Sequence, residues 1–77
     1  DIKIYPNPAT DYINFDNERG KVERVIIYSL VGRKVKEYKA NDGKNTYDVT
    51  DLSNGMYLIQ LTGADNKVIK TQRINKR

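Results

Sequence analysis

Apolar and polar side chains alternate along most of this chain with a period of two, and no stretch sustains the spacing of an amphipathic helix. The pattern predicts β-structure throughout. Its most apolar stretch, residues 52–61, opens as a turn at Leu52, Ser53, Asn54 and Gly55 and runs into a strand whose Tyr57, Ile59 and Leu61 share one face. Met56 and Leu58 keep the opposite face largely apolar, so both faces of this strand are expected to be covered.

Residues 1–5 place Ile2 and Ile4 on one side and Lys3 on the other, a short strand stopped by Pro6-Asn7-Pro8. Each proline fixes φ, lacks an N–H and pushes its predecessor toward extended geometry, so the ladder cannot continue and no helix can start before Ala9. Thr10 and Asp11 turn the chain into residues 12–15, with Ile13 and Phe15 inward, and residues 16–20 are polar turn material. Residues 21–29 set Val25 and Ile27 on one face and Val22, Ile26 and Tyr28 on the other, and their β-branched content favours a strand. Gly32 supplies the positive φ of a tight turn. Residues 33–39 return with Val35 as the clearest inward side chain, and Arg33, Lys34, Lys36 and Lys39 make this an edge strand protected by charge. Asn41-Asp42-Gly43 signals a hairpin turn. Residues 45–49 follow with Tyr47 and Val49 inward, and after a turn at residues 63–66 the last strand, residues 67–74, is basic and polar. The sum is one all-β domain over residues 1–77, an immunoglobulin-like β-sandwich of about seven short strands.

Within that frame Leu52-x-x-Gly55-x-Tyr57 has the form of a tyrosine corner: Leu52 plugs the end of the core, Gly55 permits the turn, and the Tyr57 hydroxyl bonds back to upstream backbone. Its role is structural. A chain of 77 residues buries only about 60–65% of its unfolded surface, so such devices matter to its stability.

Composition then removes most chemistries. There is no cysteine and no histidine, which excludes zinc fingers, thiol chemistry and the usual general base near neutral pH. Ser29 and Ser53 have nothing to activate them, so no catalytic residue is assigned and the chain is read as a non-enzyme without cofactors. Asp42, Asp48, Asp51 and Asp65 match no calcium-loop spacing, and Lys44 falls inside the nearest would-be cage, so no metal site is assigned either. Six tyrosines beside many lysines invite a nucleic-acid reading, but Tyr47 and Tyr57 fall on core faces and the net charge is only +4. No apolar run is long enough for a membrane helix and no leader precedes Ile2. The one segment where function competes with plain surface structure is the basic ending. Lys70, Arg73, Lys76 and Arg77 could present positive charge, and their strand could offer backbone hydrogen bonds to a partner.

Taken together, Ile4-Tyr5-Pro6-Asn7-Pro8-Ala9, Val25-x-Ile27-Tyr28-Ser29-Leu30-x-Gly32-Arg33-x-Val35, Asp48-Val49-x-x-Leu52-x-x-Gly55-x-Tyr57 and the basic terminal strand resemble the type A C-terminal sorting domain of the type IX secretion system of Bacteroidetes. The chain departs from that pattern at Ile26, usually a polar position, and in its last residues. The resemblance implies a secretion signal at the end of a larger cargo protein. The cargo crosses the periplasm, passes the outer-membrane translocon with the help of shuttle proteins, and reaches the cell surface or the medium after a surface sortase removes the domain. Pro6, Asn7, Pro8, Gly32, Leu52, Gly55 and Tyr57 would then maintain shape, and Lys70, Arg73, Lys76 and Arg77 would meet the machinery. The competing reading is an adhesin-like or carbohydrate-binding sandwich, against which stands the absence of tryptophan.

Overall fold

The apolar stretch that dominates the sequence is the middle of the protein's larger sheet. The computed structural model describes residues 2–40 and 45–77. Six strands are defined there: β1 (Tyr12–Asn14), β2 (Arg24–Ser29), β3 (Lys34–Lys39), β4 (Thr46–Asp48), β5 (Gly55–Thr62) and β6 (Val68–Lys76). They form a four-stranded antiparallel sheet in the order β3-β2-β5-β6 and a two-stranded antiparallel sheet, β1-β4. Isolated bridges join Tyr5 to Asn14 and Ala9 to Lys76, the second of them parallel. The fold is all-β and sandwich-like, and the short helical turns at Glu18–Gly20 and Ala64–Asn66 only reverse the chain.

Alternation along β2 and β5 decides where the core lies. Val25, Ile27, Tyr57, Ile59 and Leu61 are buried on one face of the large sheet, with Ile74 beside them on β6. Ile4, Ala9, Ile13, Phe15, Tyr47 and Val49 close over them from the opposite layer. Phe15 stacks on Tyr47 with ring centroids 5.3 Å apart, and Tyr38 leans against Tyr47 from the edge of the large sheet at 5.6 Å. Stacked and tilted aromatic pairs of this kind add to plain area burial. They carry the core across the gap between the two sheets.

Several expectations from the pattern give way to local backbone physics. Residues 1–5 were expected to form a strand; of the residues described there, only Tyr5 pairs, donating to Asn14 O at 2.9 Å and accepting from Asn14 N at 2.6 Å, because Pro6 has no N–H to extend the ladder. Val22, expected on the face opposite Val25 and Ile27, is buried in the same core as they are. The helical dihedrals of Lys21 break the alternation just before β2, and the Asn17 carboxamide takes both the Val22 N–H (2.9 Å) and the Val22 C=O (3.0 Å). Val35, expected inward, is 41% exposed. A bulge between β2 and β3 moves the pairing from Ile27↔Lys36 to Tyr28↔Lys34, so Val35 loses its place in the ladder and Lys36, Tyr38 and Ala40 face in. Nor are both faces of β5 covered: Met56 is 37% exposed and Leu58 half-buried, because the second layer exists on one side only. The turn expected at Asn41-Asp42-Gly43 lies outside the described residues. The strands flanking it, β3 and β4, pair in different sheets.

Other expectations hold. Ile13, Phe15, Val25, Ile27, Tyr47 and Val49 are buried, and β3 is a charged edge. Gly32 has φ +84° in the β2–β3 turn, where its N–H donates to Ser29 O. At the corner the Tyr57 hydroxyl donates to Ser53 O at 2.6 Å and lies 3.1 Å from Ser53 Oγ, while Leu52 packs against the core. Gly55 sits at φ +143°, a conformation that side-chain-bearing residues rarely adopt.

Candidate functional site

The four basic residues proposed from the sequence do not share one environment. β6 is an edge strand, and its alternation sends Ile74 and Lys76 to the core side with Gln72 and Lys70, and Arg73 to the other side. Lys76 is only 7% exposed. Its Nζ reaches Arg77 O at 3.2 Å, which satisfies part of a charge that would otherwise be costly to bury. Lys70 is half-buried, whereas Arg73 and Arg77 are exposed. Only the two arginines stand on the open surface of the strand's terminal half.

Pro6, Asn7 and Pro8 meet the same strand. The residues before β1 lie along the outer edge of β6, where Ala9 N donates to Asn75 O and Arg77 N to Ala9 O, both at 2.8 Å. Asn7 fills the next position with its side chain: its Nδ2 points to Arg73 O at 3.4 Å, and its Oδ1 accepts from Asn75 N at 2.9 Å. A carboxamide here occupies the place of a peptide group in a neighbouring strand. Gln72 makes the reciprocal contact from β6, accepting from Ile4 N at 3.1 Å and donating to Ile4 O at 2.8 Å. The proline-rich segment cannot supply a regular ladder, since neither proline has an N–H, and the side chains of Asn7 and Gln72 supply the hydrogen bonds instead. Sequence reasoning took Asn7 for kink material and did not single out Gln72 or Asn17. The available signal was a carboxamide beside prolines, or within a β-pattern, where a plain spacer would serve.

Three acidic groups are engaged away from β6. Glu37 bonds to Lys34 (2.7 Å) and Arg24 (2.9 Å), and those two cations hold its carboxyl below the usual range. Lys36 pairs with Asp51 at 2.9 Å, which raises the lysine and lowers the carboxyl. Asp48 accepts the backbone N–H of Thr50 at 2.8 Å and its hydroxyl at 2.7 Å and is lowered for that reason. Burial raises the Tyr47 phenol. Among the described residues no three acidic, histidine or cysteine side chains gather as a metal site would require, and no helix is long and apolar enough to cross a membrane.

Comparison with known proteins gives this arrangement its context. A family model described as a secretion system C-terminal sorting domain matches residues 3–75. The chain is also 36% identical over 74 residues to the ulvan lyase NLR42 of Nonlabens ulvanivorans, an alignment that covers 95% of this chain and 14% of that protein. It thus spans a small fraction of the relative's length. Domains of this family serve type IX secretion as export signals, pass through the periplasm to the cell surface or the medium, and are not catalysts. The clasped, basic-edged β-domain described above belongs to the family of type IX secretion C-terminal sorting domains.

Proposed function

We propose that this domain is an immunoglobulin-like sandwich borne by a larger secreted protein, read by the outer-membrane translocon and its shuttle proteins and then removed by a cell-surface sortase. In this scheme it is the sortase's substrate. A cargo-independent address must be presented by the domain's own surface, and a rigid sandwich presents the same surface whatever it is attached to.

The observation that carries the reading is the state of β6, an edge strand with Arg73 and Arg77 exposed and Lys76 turned inward. The clasp along residues 73–77 occupies the outer edge of the terminal half of β6, so recognition by strand addition would fall to the preceding half, residues 68–71. Over the terminal half, recognition falls to the two arginines. Lys70 and Lys76 act in support, Lys76 by holding the strand's end.

The test is Arg73→Glu combined with Arg77→Glu in a fusion exported by a type IX-competent host. Lys76 stays untouched, because a buried carboxylate there would confuse recognition with folding. Export should be lost while the melting temperature stays within a few degrees of the parent. Normal export of the variant contradicts the assignment.

A further inference from the structure

The face of the large sheet turned away from the core is not built like a solvated face. Alternation places Ile26 and Tyr28 on it from β2 and Met56 and Leu58 from β5, where an antiparallel sheet facing water carries polar residues. They are contiguous: Tyr28 pairs with Leu58, Ile26 with Gln60, and Leu58 in turn with Arg73. All four are half-buried or exposed, and at the same end of the sheet the β2–β3 turn leaves Leu30 and Val31 exposed, Val31 at 90%. Apolar surface gathered this way within a polar rim marks a contact site.

The rim is predominantly basic. Arg24, Lys34, Lys39 and Arg73 are exposed around the patch. Glu37 is the single acid in the four strands, and it is held by Arg24 and Lys34. Two copies of this face would oppose like charges, which disfavours self-association. A nucleic-acid strand would require a row of stacking aromatics, and Tyr28 is the one aromatic here.

We propose that this outer sheet face, centred on Tyr28 and Leu58 and bordered by Arg73, is the docking surface for a protein whose own apolar patch is rimmed by carboxylates. The inference rests on the export reading and extends it: Arg73 belongs both to the basic last strand and to the border of this face, so charge at the edge steers the partner and the apolar centre holds it. Steering by rim charges acts on association, whereas a desolvated apolar centre governs residence.

The test uses the purified fusion of a reporter with this domain and an export assay in a type IX-competent host. Leu58→Gln and Tyr28→Ser, singly and together, are compared with Tyr12→Gln, which alters an exposed ring on the small sheet. The double variant should reduce exported reporter by about tenfold or more, the loss expected when a central contact worth roughly 1.4 kcal/mol or more is removed. Tyr12→Gln should export normally, and circular dichroism melting of each fusion identifies any variant that merely unfolds. Met56→Gln, at an exposed position, provides a second variant that does not threaten the core and should also lower export. Normal export of a folded Leu58→Gln/Tyr28→Ser fusion overturns the docking face while leaving the export reading intact. Failure of the parent fusion to export overturns both. Sedimentation of the parent fusion should show a monomer, and a dimer abolished by Leu58→Gln would assign the face to a second copy, against the proposal.

Discussion

Replacing Tyr57 by phenylalanine removes one oxygen from the domain and nothing else. The ring is 8% exposed and stays in the core, so the change isolates the hydroxyl that donates to Ser53 O at 2.6 Å and lies 3.1 Å from Ser53 Oγ. A net hydrogen bond contributes about 0.5–1.5 kcal/mol, and the bond is only partly buried at an exposed residue, so the expected cost is about 1 kcal/mol. For a domain of this size that is a fall of roughly 4–8 °C in melting temperature. By the usual per-residue scale the whole domain is stable by about 4–12 kcal/mol, so the corner is a visible share of it. Tyr57→Ala removes the ring as well and should cost about 3–5 kcal/mol, enough to leave much of the population unfolded. Ser53→Ala retains the acceptor carbonyl and should move the melting point by no more than a degree or two. Thermal melts followed by circular dichroism rank the three variants. If Tyr57→Phe melts with the parent, the corner contributes nothing through its hydroxyl. If it falls as far as Tyr57→Ala, the hydroxyl organises the core in a way that a single hydrogen bond cannot explain.

Asn7→Ala removes the carboxamide that bridges Arg73 O and Asn75 N. It should cost about 1 kcal/mol and speed amide exchange at Asn75 while leaving Ile74, which faces β5, protected; uniform acceleration would contradict a local clasp. Gly55→Val has room for its side chain, since nothing lies within 4 Å of an added Cβ, but it must adopt φ near +143°, a strain of about 1–3 kcal/mol. Its export should fall with its melting temperature and recover at a lower growth temperature, and an export defect that persists in a fully folded variant would show that Gly55 does more than hold shape. Glu37, Asp48 and Asp51 are each held below the usual carboxylate range in the folded state, so the stability they contribute is present above roughly pH 4 and is lost as the pH falls through their folded values. Lys34 and Lys36 are raised, and their contribution is lost only as the pH rises past the ordinary lysine value. Melting temperature against pH should be level from about 5 to 9 and fall on either side, and a rise below pH 4 would contradict the pairings.

Alternation read the fold well wherever a strand is regular. β2 and β5 buried the expected side chains, and the corner at Tyr57 closed as its spacing indicated. It failed where the backbone changes step. The bulge at Val35 and the helical dihedrals of Lys21 each shift the parity by one, and nothing in a period-two pattern marks the residue at which that happens. The covering of β5 was misjudged for another reason: apolar residues at Met56 and Leu58 look the same whether a second layer of this chain or another protein lies against them. At the candidate site the basic residues were visible in the sequence, but their division was not. Which side of β6 each one takes depends on its register against β5, and that register sends Lys76 in and Arg73 out. The clasp by Asn7 and Gln72 was hidden because its partners are 66–68 residues apart in the chain.

The most direct measurement of the central claim joins residues 1–77 to the end of a periplasm-directed fluorescent protein in a host with an active type IX system. A parallel strain lacks the outer-membrane translocon. Fluorescence should reach the cell surface or the medium in the first strain and remain periplasmic in the second. If it remains periplasmic in both while the fused domain is folded, the domain is not sufficient as an export address and the account fails.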